Sequence, residues 1–390
     1  MKNLNKQIRV EAIDAGAVFG TGGFAKAAPR KPSGGLRQGL QRLRSVVAER
    51  LGDQPSRTAL RFVANLLHSL RGRLDWRGSA LKRCKSLVKY LVRAVGMPLQ
   101  HGRYLQLIYG QPRMHAYMRR DPRLLERHFH RYVHARWSRQ ERLQSLRRHY
   151  EFALTRLPRR LFEEVYIHGG ANLGTLSLKD GSQLKLCLRP PIFLGCEGEL
   201  CIQLSDANDQ PLYRIVFSVA GDLPSITIGC IQGPGGESAR DVVRELTRNM
   251  HGLRPKQLML FLVYAFARHY AIEHLCAVGN AAHPLRRARR QFQADYDAFW
   301  VEQKGRDAGD GWFVLPEAPS RKCEAEVPSH HRSAFRRREA LRVEAEQLLI
   351  DALAAFSPRS AARLSEQVPE LQSEPFKSFQ HGDLKAWCTG

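Results

Sequence analysis

The run from Ile226 to His283 limits the folds open to this chain more than any other stretch. Within 58 residues it passes from strand to glycine loop, polar helix, basic turn, apolar helix and strand. Ile226–Ile231 is a short β-favouring run that stops at QGPGG. Ser238 is placed to cap a helix that carries Asp241 in its first turn and reaches about Met250. Gly252 can end that helix. Pro255 suits the first position of the next, where its missing N–H costs nothing. Residues 255–270 are apolar on nearly all sides, so this helix should be buried. Leu275–Gly279 then returns as a strand, and an α/β core can be built around the whole run.

The flanks extend the sheet. Val165–Ile167, Leu173–Leu178, Gln183–Leu188, Glu199–Leu204 and Leu212–Val219 are short β-favouring runs joined by turns such as KDGS and SDANDQP. Asp-Gly between alternating strands signals a hairpin, and connections this short require antiparallel pairing. After Pro284 the sequence predicts a basic helix, LRRARRQF, the aromatic segment DYDAFW, a loop EQKGRDAGDGW and a last strand Trp312–Leu315. The expected plan is α+β: a flexible lead (1–35), a basic helical region (36–160), a mixed, mostly antiparallel sheet flanked by helices (161–320), a charged helical segment (321–356) and a loosely ordered tail (357–390). Within the helical region, the patterns over 36–95 place apolar residues at helical spacing opposite Arg and Lys. His130 and His134 would share one helical face, which suits metal binding, but no carboxylate or third ligand accompanies them.

Charge separates the two halves. Residues 1–150 hold 32 Lys and Arg against 8 Asp and Glu, whereas residues 151–390 hold 30 against 29. A basic helical region of this kind suits an anionic partner. Such helices either present a solvated basic face or lie on an anionic surface, where membrane lipid or a lipopolysaccharide precursor is expected ahead of nucleic acid. The Arg clusters lack the signatures of sequence-specific nucleic-acid binding. The eight cysteines contain no CxxC pair and no zinc spacing, so buried free thiols are expected and no metal. No uninterrupted apolar leader and no span of transmembrane length occurs, which predicts a cytoplasmic protein, peripheral to the inner membrane if it meets lipid.

Six segments in fixed order, IGCIQGP, LTRNMHGLRPKQLML, AVGNAAH, DYDAFW, GWFVLP and SHHRSAFRRR, resemble the VirK/YbjX family of Gram-negative bacteria. The resemblance covers residues 80 to 355. It implies a domain of unknown function whose members are tied to virulence and to envelope or antimicrobial-peptide stress. The order of elements is also similar to the GNAT acyltransferase core, in which the turn before the central helix holds the pyrophosphate of coenzyme A. By position, that likeness implies coenzyme A or acyl-CoA at Gly252, Arg254, Lys256 and Gln257. The family's R/Q-x-x-G-x-G/A spacing is absent here, and a helix is inserted ahead of the turn. Acyl transfer to an amine needs a base, for which Glu197, Glu199 and His251 are candidates. Asp295, Tyr296 and Trp300 are candidates to orient substrate. The competing reading is a non-enzymatic adaptor that grips anionic lipid through the N-terminal helices.

Overall fold

In a computed structural model, the described residues are Ser45 and 56–357, less 192–195, 222–223, 237 and 286–294. The expected lead over 1–35, the first basic helix beyond residue 36 except Ser45, the basic helix after Leu285 and the tail from 358 lie outside them. The chain divides into two compact units after Tyr109. The helices between 110 and 160, grouped with the basic region on sequence, therefore belong to the second unit.

The first unit contains α1 (Ser56–Ser69), α2 (Ala80–Val95) and α3 (Pro98–Gly110). Ser79 caps α2 by accepting the Lys82 N–H. Leu66, Tyr90, Tyr104, Leu105 and Ile108 form the core. Buried polar groups there are paired: the Tyr90 hydroxyl lies 2.7 Å from Ser69 Oγ and 3.0 Å from His101 Nε2. Burial pulls the His101 pKa down to about 3, so the ring is neutral.

The second unit opens with α4 (Pro112–Arg120), a 3₁₀ helix Pro122–Phe129 and α5 (Arg139–Thr155). A capping box of Ser138 and Glu141 starts α5. His130 and His134 do not share a helical face, because the helix ends at Phe129 and Val133 has φ of 50°. The segment uses its N–H groups elsewhere: Val133 donates to Cys196 O and Ala135 to Ala282 O. His134 is stacked on Trp312. Val165–Ile167, expected as a strand, lies in a π-helical turn Glu163–His168. Gly169 and Gly170 both donate to Glu164 O, and the buried Val165 and Tyr166 hold the turn against the helices. Local β-propensity yields here to tertiary packing.

The sheet has eight strands: β1 (Ala171–Ser177), β2 (Gln183–Arg189), β3 (Leu200–Ser205), β4 (Pro211–Ala220), β5 (Ser225–Gln232), β6 (His274–Val278), β7 (Arg306–Gly309) and β8 (Trp312–Val314). Their order is β1-β2-β3-β4-β5-β6-β8-β7, and only β5 and β6 run parallel. β7 falls inside the expected loop; all four of its residues are exposed, so it carries no apolar alternation to mark it. Between β5 and β6 lie α6 (Ala239–Asn249) and the buried α7 (Pro255–His269). Ser238 is in helical conformation and makes no side-chain cap.

The two sheet faces differ in chemistry. Ile202, Ile215, Phe217 and Ile228 share the face covered by α7, where Phe217 and Phe266 meet edge to face at 5.2 Å. Cys201, Gln203, Arg214, Val216 and Ser218 lie on the other face, under α5 in part. α8 (Tyr296–Glu302) packs near the end of β6, and α9 (Arg332–Ala355) buries Leu341, Ala345, Leu349 and Leu353 beside β1 and α7.

Candidate active site

A single extra residue in β5 organises the polar face. β4 and β5 pair Phe217 with Ile228 and then Val216 with Cys230, so Gly229 is a bulge. The bulge moves Cys230 from the apolar face to the polar one. No other residue fits there: a Cβ on Gly229 would stand 1.9 Å from the Glu197 carbonyl oxygen. The same glycine that turns Cys230 over thus lets the Glu197 backbone approach it.

The parallel pairing of β5 and β6 ends at Ile228 and Ala277. β5 runs on to Gln232 whereas β6 ends at Val278, so the end of β5 projects past the parallel ladder beside the bulge and leaves a gap at its open edge. Tyr296 stands in the gap, its hydroxyl 3.1 Å from Ile231 O and 3.5 Å from Cys230 Sγ. Its ring stacks on His283 at 5.3 Å and on Trp300 at 6.2 Å. Trp300 Nε1 donates to Val278 O, which ties α8 to the end of β6. Asp295 caps α8 by accepting the Ala298 N–H and also accepts from Asn280 Nδ2.

Glu197, Cys230 and His283 converge around this gap. Their ligating atoms lie within 4.8 Å of one another, and all three residues are buried. His283 Nδ1 accepts the Leu285 N–H, so the ring proton of the neutral imidazole sits on Nε2. That nitrogen lies 3.4 Å from Glu197 Oε1. Burial, together with the Glu197 carboxylate, holds the Cys230 thiol well above the usual thiol range. A protonated thiol bonded to Glu197 is an inert donor, not a nucleophile. The set has the chemistry of a metal site, yet a ligating Nε2 calls for Nδ1 as a donor, and here Nδ1 accepts. The Glu197 carboxylate thus has the Cys230 thiol as a hydrogen-bond donor and the His283 ring beside it.

The expected coenzyme residues divide. Lys256, in the first turn of α7, lies over the Phe299 ring at 5.6 Å, and Asp295 and Glu302 are among its charged neighbours, with the Cys230 thiol also near. Burial and the nearby Arg254 lower its pKa. Arg254 is ion-paired with Glu302, to which Gln257 Nε2 also donates at 3.3 Å. His251 and Gly252 turn the other way. Both have positive φ, 55° and 84°, and the Gly252 N–H closes α6 on Thr247 O. His251 faces Lys179 and Arg337, and a Cβ on Gly252 would touch Arg338 of α9. The structure therefore brings Glu197, Lys256, Asp295, Tyr296 and Trp300 to one region and leaves His251 outside it.

Glu199 is also apart, two residues on. It is fully buried, ion-paired with Arg127 and bonded by the Tyr150 hydroxyl. Arg127 Nη2 also reaches Asp121 at 2.6 Å and the Tyr117 hydroxyl at 2.9 Å. Burial pushes the Glu199 pKa up to about 7, while the Arg127 and Arg123 guanidiniums outweigh burial at Asp121 and bring it down to about 2. This network ties α4, the 3₁₀ helix and α5 to β3. A further cleft of about 500 Å³, lined by Leu178, Leu184, Leu212, Val242 and Leu246, holds none of the candidate groups.

Sequence reasoning missed Cys230 and His283 as site residues. Both stand in segments that carry the family resemblance, IGCIQGP and AVGNAAH, but nothing in the strand pattern marks the bulge.

Comparison with known proteins agrees with those segments. The family described as protein of unknown function (DUF535) matches residues 79–349. The protein described as uncharacterized protein YbjX of Escherichia coli (strain K12) is 30% identical over 257 residues, which cover 64% of this chain and 78% of that protein. Two uncharacterized proteins of Haemophilus influenzae are each 29% identical, over 136 and 147 residues; the chain spans 45% and 48% of their lengths.

Proposed function

This chain belongs to the DUF535 family, that of VirK and YbjX, and on that premise we propose that its second unit is an acyl-CoA-dependent acyltransferase of GNAT type. One observation carries the reading. The parallel ladder of β5 and β6 stops after Ile228 and Ala277 while β5 continues, and Lys256 at the start of α7 lies near Cys230 on that continuation. The sheet order, with β8 inserted between β6 and β7, supports it.

The residues fit coenzyme A in part. The half-buried Lys256 ammonium and the positive end of α7 suit a pyrophosphate. Pro255 contributes no N–H, and Arg254 would have to leave Glu302 to help. When bound, the cofactor supplies an activated acyl thioester. Glu197 takes the proton of the attacking amine or hydroxyl as the acceptor's bond to the acyl carbon forms and the coenzyme A thiolate leaves; the Cys230 thiol donates to its carboxylate and the His283 ring packs beside it. Tyr296 and Trp300 orient the acceptor from α8. In a family tied to virulence and envelope stress, an envelope acceptor near the inner membrane is the substrate class we assign.

Titration calorimetry with coenzyme A and acetyl-CoA tests this reading. Binding weakened at least tenfold by Lys256→Ala is expected, and absence of binding by the wild-type chain overturns the proposal.

A further inference from the structure

We infer that α2 is a contact for the surface of an anionic lipid bilayer. The helix has two apolar sides. Tyr90 and Ala94 are buried in the first unit, with Leu87 and Leu91 half-buried beside them. Leu81, Cys84, Val88 and Val92, spaced by three and four residues, form a second row that faces water. Leu81 is 80% exposed, Val88 53% and Val92 67%. Leu74, just before the helix, is 74% exposed.

Helical spacing sets the exposed Lys85 and Lys89 alongside that row. Residues 76–109 hold seven Lys and Arg and no Asp or Glu. The nearest preceding acid, Asp75, is engaged by Arg73 at 2.6 Å. An exposed apolar row edged by lysines is the arrangement by which a helix lies in the headgroup layer, its apolar side sunk toward the acyl chains. Nucleic acid would use the lysines but gain nothing from Leu81, Val88 and Val92, and this favours lipid. At 16 residues α2 is too short to cross a bilayer, and no helix among the described residues is long and apolar enough to do so. The contact gives the membrane setting of the proposed acyl transfer a physical basis, yet it uses none of the residues on which that reaction depends.

Flotation of the full chain tests the inference, with vesicles of phosphatidylcholine alone and of equal parts phosphatidylcholine and phosphatidylglycerol. The wild type is expected on the anionic vesicles only. The triple variant Leu81→Ser, Val88→Ser, Val92→Ser should lose at least tenfold in partitioning. Lys85→Gln with Lys89→Gln should lose roughly twenty-five-fold, at about fivefold per basic residue. All substituted side chains are exposed, so thermal melts should match the wild type. Equal flotation on both vesicles, or a serine variant that floats like the wild type, overturns the inference. So does retention on RNA or DNA that ignores the serines while vesicles are not bound. Calorimetry with coenzyme A on the same variants keeps this failure distinct from failure of the acyltransferase reading.

Discussion

Glu197 and Glu199 are two residues apart, both buried and both acidic, and the protein uses them oppositely. Glu199 has a full counter-charge in Arg127 and a hydroxyl donor in Tyr150, all beneath the helices of the second unit. Glu197 has the His283 imidazole and the Cys230 thiol as near partners, with the charge of Arg214 also acting on it. Glu199 is embedded in a charged network that joins the helices to β3, whereas Glu197 stands beside an imidazole and a thiol near the end of β6. At Glu199 burial outweighs even the Arg127 cation and lifts the pKa to about 7.

The largest test of this contrast is Arg127→Met. It leaves Glu199 and Asp121 in the interior without their cation, and loss of a buried partner costs about 3–5 kcal/mol. Urea unfolding should show that loss. Glu197→Gln keeps the shape of the side chain and removes no buried cation, so it should shift stability by only about 1 kcal/mol while removing acyl transfer. Equal losses from the two substitutions would erase the distinction.

Proton linkage gives the next effect. The folded Glu199 value, about 7, lies above its ordinary 4.5, so the unfolded chain releases that proton first. Stability should therefore fall as pH rises from 4.5 to about 7, by at most about 1.4 kcal/mol per unit, and level off beyond. Glu199→Gln should remove that slope. Asp121 acts in the opposite sense: its folded value is lowered from 3.8 to about 2, so its contribution is present above 3.8 and is lost as pH falls through that window. Denaturation curves at several pH values would show both limbs, and a wild-type slope unchanged in Glu199→Gln would assign it elsewhere.

Gly229 connects the fold to the site. Gly229→Ala places a methyl against the Glu197 backbone and should cost about 1–3 kcal/mol. A smaller loss in urea unfolding would mean that the Glu197 turn yields readily. This residue also shows where sequence reading stops. The hairpins at KDGS and SDANDQP, the buried helix opened by Pro255 and the strand after it are local signals, and the structure has all of them. The bulge is a long-range event: it exists because Glu197, thirty-two positions earlier, passes over Gly229. So the pattern of β5 gave no sign that Cys230 faces Glu197 and His283. The same applies to Arg127, which looks like one more surface charge in a basic helix and is in fact the buried partner of Glu199. Val165–Ile167 had strand composition and became a helical turn, because Tyr166 is needed among Tyr117, Tyr150 and His149.

The smallest effect compares two tyrosines, one in each cluster. The Tyr150 hydroxyl donates to the charged Glu199, and hydrogen bonds to charged groups contribute about 1.5–3 kcal/mol. The Tyr296 hydroxyl donates to the neutral Ile231 carbonyl at 3.1 Å, worth about 1 kcal/mol. Tyr150→Phe should therefore destabilise the chain more than Tyr296→Phe, and it should also carry the pH slope on above pH 7, since Glu199 loses a donor that favours its ionised form. Tyr296→Phe should leave the pH slope untouched and free the Ile231 carbonyl at the opening between β5 and β6, so its readout is coenzyme A affinity measured beside the melt. A Tyr296→Phe chain that alters the pH slope would show that the two clusters are electrostatically one, and the division of labour between Glu197 and Glu199 would fail with it.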